Sequence, residues 1–330
     1  MTRDGPVDAV ITWVDGTDQA FAQKLTDYLS AHHIDRRGAA APTRFNSCGE
    51  IDYCLRSLFH FAPWIRTIHV VTYGQTPSFL STLRGTVYED KIKLVDHRDI
   101  FKGFEQYLPT FNSLTIESML WRIPDLAEQF IYFNDDCALI QPMEAIDFFR
   151  QGRPVLRGHW KTHTEKKWRA SWRRAYAFVR QRPYQPMERH EHRAIQERSA
   201  QVAGFKRYFF HVPHVPSPLI KQTFVDFFHQ HPAMLEQNIR YAFRDAAQFM
   251  PVSLAYHVDI KRKRVVFDWT LKGVTLHATH HSAHHISKRL ARADRNHRVS
   301  FICMQSVDEG TPATRERLLH WLDKRIPKLD

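Results

Sequence analysis

A chain of 330 residues, 43% hydrophobic and 13% aromatic, has enough apolar surface for one large core with or without a smaller lobe, which excludes long disorder. Its 47 basic residues against 35 acidic give a formal net charge of +12. Positive surface concentrates anions, so nucleotides, phosphoglycans, nucleic acids and acidic lipids are the partner classes to weigh. No apolar run approaches the ~18 residues of a membrane span, and Met1-Thr-Arg-Asp-Gly-Pro starts no secretory signal, so the expectation is a soluble or membrane-peripheral protein. Cys48, Cys54, Cys137 and Cys303 lack CxxC spacing, which predicts reduced cytoplasmic thiols rather than disulfides or structural zinc.

In chain order, Val7 to Val14 is a β-branched apolar run that predicts a buried strand ending in the acidic turn Asp15-Gly16-Thr17-Asp18. From Gly49 to Ala62, the spacing of Ile51, Leu55, Leu58, Phe59 and Ala62 predicts an amphipathic helix. Thr67 to Tyr73 and Ile92 to Asp96 read as strands, with a helical stretch near Pro77 to Leu83 between them. A helix from about Asn112 to Arg122 then leads to the strand Phe130 to Phe133, which runs into Asn134-Asp135-Asp136. This alternation predicts an α/β fold, a Rossmann-like mostly parallel sheet flanked by helices. Ligands in such sheets bind at the carboxyl ends of strands, where both acidic turns fall.

Residues 1–150 therefore read as the α/β half and 151–210 as a basic, helical insertion or lid. Residues 211–330 read as a second half that completes the site, with helices near Gln222 to His231 and from Thr314 to Arg325. The basic clusters are Lys161 to Arg182 and Lys261 to Arg264, each of a kind more often a solvated face than a binding site.

Four constellations could carry chemistry. A diphosphate needs charge neutralisation, and Asp135 and Asp136, with Asp15 and Asp18, suit Mg²⁺ or Mn²⁺, although Asn and Asp are also ordinary turn formers and N-caps. His211 and His214, on a proline-bounded loop, offer an imidazole as general base, or else satisfy buried carbonyls. Arg244, in a helix-like context, could clamp phosphate with its guanidinium fork, or be a surface arginine. The string His277, His280, His281, His284, His285 has i, i+4 pairs that on a helix would suit a transition metal, but no carboxylate or cysteine is interleaved.

Taken together, these segments resemble the Stealth family, which includes bacterial capsular polysaccharide phosphotransferases and the catalytic subunit of the lysosomal-enzyme GlcNAc-1-phosphotransferase. Asp8-Ala-Val-Ile-Thr-Trp13-Val-Asp15-Gly16-Thr-Asp18 is similar to its first region. Arg44-Phe45, Glu50, Leu55-Arg56-Ser57-Leu58, Leu108-Pro109-Thr110-Phe111-Asn112-Ser113, Ile116-Glu117 and Phe130 to Asp136 are similar to the second. His211-Val-Pro-His214 and Phe243-Arg244 resemble the third, and Phe301-Ile-Cys303 the start of the fourth.

The resemblance implies transfer of a hexose-1-phosphate, such as an N-acetylhexosamine-1-phosphate, from a UDP-sugar to a glycan hydroxyl in cell-surface polysaccharide synthesis, with Mg²⁺ and release of UMP. It implies a donor pocket shaped by Asp8, Trp13, Asp15, Gly16, Arg44, Arg56 and Asn112, and a metal-phosphate site at Asp135 and Asp136. One of His211 and His214 would be the base, and Arg244 would hold the phosphate. The acceptor would be a glycan or phosphoglycan, free or lipid-linked, with Arg169 and Arg173 holding an anionic growing chain and basic patches giving peripheral membrane association. Two stretches depart from the family pattern: Asn46-Ser47-Cys48, where Asp-Asn is usual after Arg-Phe-x, and Cys303-Met-Gln305-Ser306, where Cys-x-Asn-Asp is usual and Asp308 comes two residues late. The competing readings are a glycosyltransferase releasing UDP and a basic nucleic-acid-binding protein, the latter predicting salt-sensitive DNA or RNA binding.

Overall fold

The structure, a computed structural model, describes residues 5–35, 45–167 and 191–329, with Ser171, Trp172, Ala175, Tyr176 and Val179 between them. In chain order the first part contains β1 (Val7–Thr12), α1 (Gln19–Ala31), α2 (Glu50–Phe61), β2 (Ile68–Thr72), β3 (Ile92–Asp96), α3 (His97–Ile100), α4 (Ser113–Glu117), β4 (Gln129–Asn134) and β5 (Cys137–Leu139). The middle contains β6 (Phe149–Arg150), β7 (Arg153–Leu156), β8 (His159–Thr162), α5 (Glu191–Val202), β9 (Tyr208–His211) and β10 (Ser217–Ile220). There follow α6 (Lys221–Gln230), α7 (Pro232–Ile239), α8 (Pro251–Lys261), β11 (Val266–Phe267), β12 (Lys272–His277), α9 (Ala283–Asp294), β13 (Val299–Gln305) and α10 (Pro312–Arg325).

The central sheet has the order β10-β4-β1-β2-β3, parallel except for the edge strand β10. Its inner strands β1, β2 and β4 are apolar on both faces because both faces are covered, while the edge strand β3 buries only Val95. Val10, Val71, Phe130 and Tyr132 pack with α6, α7 and α8, whereas Ala9, Ile11, Val70, Ile131 and Phe133 pack with α2. In α2 the helical repeat buries Ile51, Leu55, Leu58 and Phe59, and Glu50 and Asp52 in its first turn complement the helix dipole. Full burial of each such Leu or Phe contributes roughly 1.5–3 kcal/mol, and Leu55→Ala, at the sheet interface, should cost about 2–5 kcal/mol. A second sheet, β12-β13-β5, packs on α9 and α10, and β5 follows β4 directly, so the two sheets meet at the Asp135-Asp136 turn.

Several expectations change. The helix expected over 112–122 is a single α-turn, α4, followed by a 3-10 turn at Leu120–Arg122, and the stretch from Ser78 to Leu83 is 3-10 as well. The segment 151–210, expected to be helical, opens with β7 and β8; β8 pairs with β9, and α5 is a helix between them. Phe243-Arg244-Asp245 lies in a loop between α7 and α8, not a helix. The basic run from Lys261 ends α8, where Lys261 Nζ donates to the Ala203 carbonyl and Arg262 pairs with Asp226. Among the described residues no helix is long and apolar enough to cross a membrane.

Candidate functional site

Strand order reverses beside β1: β2 and β3 extend to one side, β4 and β10 to the other. In open α/β sheets the crevice outside the carboxyl ends at such a point binds ligands. Here Thr12 pairs with Asn134, so Trp13 and Val14 leave β1 next to the turn by which Asp135 and Asp136 leave β4. The crevice is a cleft of about 360 Å³ whose walls include Trp13, Glu50, Asp135, Asp136, His192, His214, Arg244 and Asp308. Residues from both ends of the chain thus share one cavity because β10, which follows the His214 loop, adds to the sheet beside β4.

The acidic wall is crowded. Burial, then the Asp136 and Glu50 charges, pushes the Asp135 carboxyl well above its usual range, and burial raises Asp136 to about 6. Glu50 is raised by burial as well, with Asp136 and Asp308 adding repulsion. The Cys137 and Cys303 thiols each donate to one oxygen of Asp136 at 3.4 Å, and its carbonyl accepts from the Met304 amide at 2.9 Å, which fixes the turn.

Carboxylates that repel one another at a cleft wall fit a divalent cation. Mg²⁺ binds through one or two carboxylates plus substrate phosphates and water, so Asp135 and Asp136 suffice, with Glu50 beside them. One group of three ligating side chains among the described residues, Asp136, Cys137 and Cys303, brings its ligand atoms within 4.8 Å of one another. That softer set is held protonated. The Cys303 hydrogen bond pulls Cys137 down, but burial and the Asp136 charge lift it to about 11, and Cys303 is pushed well up by its bond to Cys137 and by burial. The hard oxygen donors are the better fit.

Opposite the carboxylates, His214 stacks on His192 of α5 with ring centroids 4.4 Å apart and planes 24° apart. Burial lowers both, His192 to about 3 with the His214 and His211 charges adding to it, so both rings are neutral near pH 7 and able to accept a proton. Gly273 on β12 is a glycine because an added Cβ would lie 2.4 Å from Val215 Cγ1, beside the His214 carbonyl. Arg244 reaches the cleft from its loop and donates to Ser113 Oγ at 2.8 Å. That loop is tied down by Asn112, whose Nδ2 donates to the Tyr241 carbonyl and to Gln248 Oε1.

The cleft therefore unites Trp13, Asp135, Asp136, His214 and Arg244. The other expected site residues lie elsewhere. Asp8 is fully buried at the start of β1, where its carboxylate accepts from Arg66, His69 and the Ala127 amide. Asp15 Oδ1 closes its own turn by accepting from Thr17, and Asp18 is the N-cap of α1. Gly16 donates to the Phe45 carbonyl at 2.7 Å, and a Cβ there would lie 2.8 Å from Phe45 Cβ, so this approach requires glycine. Asn112 caps α4 and is buried behind the Arg244 loop. Arg56 faces a different cavity, over the Tyr53 ring and 3.5 Å from Asp323. His211 ends β9 opposite His159, off the cleft wall. Arg44, Arg169 and Arg173 lie outside the described residues. In the His string, His277 ends β12 while His284 and His285 begin α9, so no single helix carries it.

Sequence reasoning singled out no role for Asn46, Glu50, Glu117, His192 or Asp308, which all line the cleft. Asn46 Nδ2 donates to Asp308 Oδ2 at 2.9 Å, so the two stretches that depart from the family pattern meet at one rim. The spacing of acidic residues around Cys303 was the available signal for Asp308. His192 had none.

Comparison with known proteins adds to this geometry. The model for "Stealth protein CR1, conserved region 1" matches residues 5–33, and that for "Stealth protein CR2, conserved region 2" matches residues 44–155. The chain is 41% identical over 150 residues to the capsular polysaccharide phosphotransferase LcbA of Aeromonas hydrophila, covering 44% of this chain and 39% of that one. It is 40% identical over 148 residues to a capsular polysaccharide phosphotransferase of Neisseria meningitidis serogroup B, covering 44% and 38%. The matched segment thus spans under two fifths of either relative. Among solved structures, the galactosyltransferase LgtC, complexed with donor and acceptor sugar analogs, aligns over 98% of this chain and 97% of its own at 12% identity with a TM-score of 0.42, too low to establish a shared topology. Residues 5–33 and 44–155, less than half of the chain, thus carry its likeness to Stealth conserved regions 1 and 2.

Proposed function

We propose that the chain transfers a hexose-1-phosphate from a UDP-sugar to a glycan hydroxyl in capsular or exopolysaccharide synthesis, releasing UMP. The observation that carries this reading is the convergence, in one cleft at the strand-order reversal, of Asp135 and Asp136, His214 and Arg244. The naming of the matched relatives as polysaccharide phosphotransferases supports the substrate class.

Asp135 and Asp136 would hold Mg²⁺ or Mn²⁺, which when bound neutralises diphosphate charge. His214, neutral at pH 7, accepts the proton of the acceptor hydroxyl as its oxygen bonds to the phosphorus of the sugar phosphate. The bond from that phosphorus to the bridging oxygen breaks, and UMP leaves with the electron pair. The C1–O bond stays intact, so anomeric configuration is retained. The Arg244 fork steadies the phosphoryl oxygens during transfer, where preorganised charge gains most of its rate effect. His192 stacks behind His214 and sets the ring plane.

The acceptor is a glycan or phosphoglycan, lipid-linked or free, met on the cytoplasmic side of a membrane. Nucleotide release from a panel of UDP-sugars tests the reaction: UMP supports it, whereas UDP would make the protein a glycosyltransferase. Retardation of random DNA at low salt would revive the nucleic-acid reading.

A further inference from the structure

The cleft is also lined by polar groups of another kind. Trp13 Nε1, His97 Nδ1, Thr110 Oγ1 and Glu117 Oε2 are buried polar atoms with no hydrogen-bond partner, and all four residues line the cleft. Their residues are 9%, 5%, 2% and 7% exposed. An unpaired buried polar group costs about 1–3 kcal/mol, and such groups are rare in folded proteins. Four in one cavity wall indicate partners supplied from the cavity.

These groups differ from a phosphate or metal grip because the indole, the hydroxyl and the imidazole carry no charge near pH 7 and the Glu117 carboxyl is protonated in a large share of molecules there. Burial pushes Glu117 up to about 7, with Arg244 and the Tyr132 hydroxyl, within hydrogen-bond reach, opposing it. Burial lowers His97 to about 4. The indole N–H only donates, the threonine hydroxyl donates or accepts, and a protonated carboxyl does both. Rings frame the same cavity: Tyr73 stacks on His97 at 5.4 Å and 16°, and Phe21, Phe45 and Phe111 pack edge to face or tilted. Such a wall suits a group that is polar, planar and uncharged.

We propose that Trp13, His97, Thr110 and Glu117 form a polar subsite that reads the adjoining N–H and C=O of a neutral amide or imide on the donor. This rests on reading the cleft as the donor site. Two parts of such a donor present that chemistry: the pyrimidine base, and the acetamido group of an N-acetylhexosamine.

Calorimetric titration of the full chain with two ligand pairs tests the subsite and separates the sources. UMP is set against ribose 5-phosphate, and N-acetylglucosamine 1-phosphate against glucose 1-phosphate. Within each pair the amide-bearing group is the difference of interest. The expected result is a preference of at least about tenfold in one pair, which identifies the source. That preference should collapse in Glu117→Leu and in Thr110→Val, and survive in Glu117→Gln, which keeps an uncharged donor and acceptor. Melting curves confirm folding, and Thr110→Val, nearly isosteric, keeps the test open if Glu117→Leu does not fold. No preference in either pair, or one untouched by both Leu and Val substitutions, overturns the subsite and leaves the orphan atoms to water. Neither result depends on turnover. UMP release without a preference would sink the subsite alone, and a preference without UMP release would sink the transfer reaction alone.

Discussion

The two ends of β1 treat buried acid in opposite ways. At its start, Asp8 is surrounded by the Arg66 guanidinium, His69 and the Ala127 amide; burial raises its carboxyl, but those bonds outweigh it and hold the group near 2. Beyond its other end, burial pushes up Asp135, Asp136 and Glu50, with the neighbouring charges adding to it at Asp135 and Glu50. A carboxylate whose partners are folded in is architecture, whereas carboxylates left crowded await a partner from outside. This sorts Asp8 from Asp136, although both stand in motifs of equal clarity.

The largest expected effect breaks the architectural end. Asp8→Ala strands Arg66 and His69 and should cost about 3–5 kcal/mol in urea unfolding, while the transfer rate per folded molecule stays near wild type. At the other end the pattern inverts: Asp136→Asn should lower UMP release on the order of 10²–10³-fold without lowering the melting temperature, since one repelling charge is removed. An unfolded Asp136→Asn or an inactive but stable Asp8→Ala would undo the comparison. Next, His214→Ala should cost about 10²-fold in UMP release and His211→Ala only a few-fold, because only His214 faces the cleft.

Acid should sharpen the contrast further. Because the folded pKa of Asp8 is depressed, its stabilisation is present above the unfolded value near 4 and lost as pH falls through about 2. Unfolding free energy should fall by roughly 2 kcal/mol across that window in wild type, and by less in Asp8→Asn. The smallest effect belongs to the His string: His280→Ala and His284→Ala should leave stability within about 0.5 kcal/mol and UMP release unchanged.

The parallel core was legible because β1, β2 and β4 are buried on both faces and so read as plain apolar runs that end in polar turns, whereas β3, an edge strand that buries only Val95, was legible from its β-branched and apolar composition. Asp135 and Asp136 as candidates followed from that reading, and Trp13 from the family resemblance. Asp15 and Asp18 stand outside the cleft lining, where their side chains close a turn and cap α1, uses that the sequence does not tell apart from metal binding. Glu117 stayed hidden because it closes a one-turn helix, too short for periodicity to show which way a carboxyl faces. β12 escaped because its pattern Lys272-Gly-Val-Thr-Leu-His277 merges into the histidine string, and the pairing of Asp308 with Asn46 because a loop brings together residues far apart in sequence.

The edge strand β10 pairs Ser217 with Tyr132 and Ile220 with Gln129, across some ninety residues of chain. Contacts of such sequence separation form late and slowly, since loop closure must come first. The core around α2 is built mainly from residues before 150 and completed by Phe301 and Cys303, while the opposite sheet face is covered by α6, α7 and α8, which follow β10. On the proposed function, refolding followed by transfer activity should therefore lag refolding followed by the burial of β1.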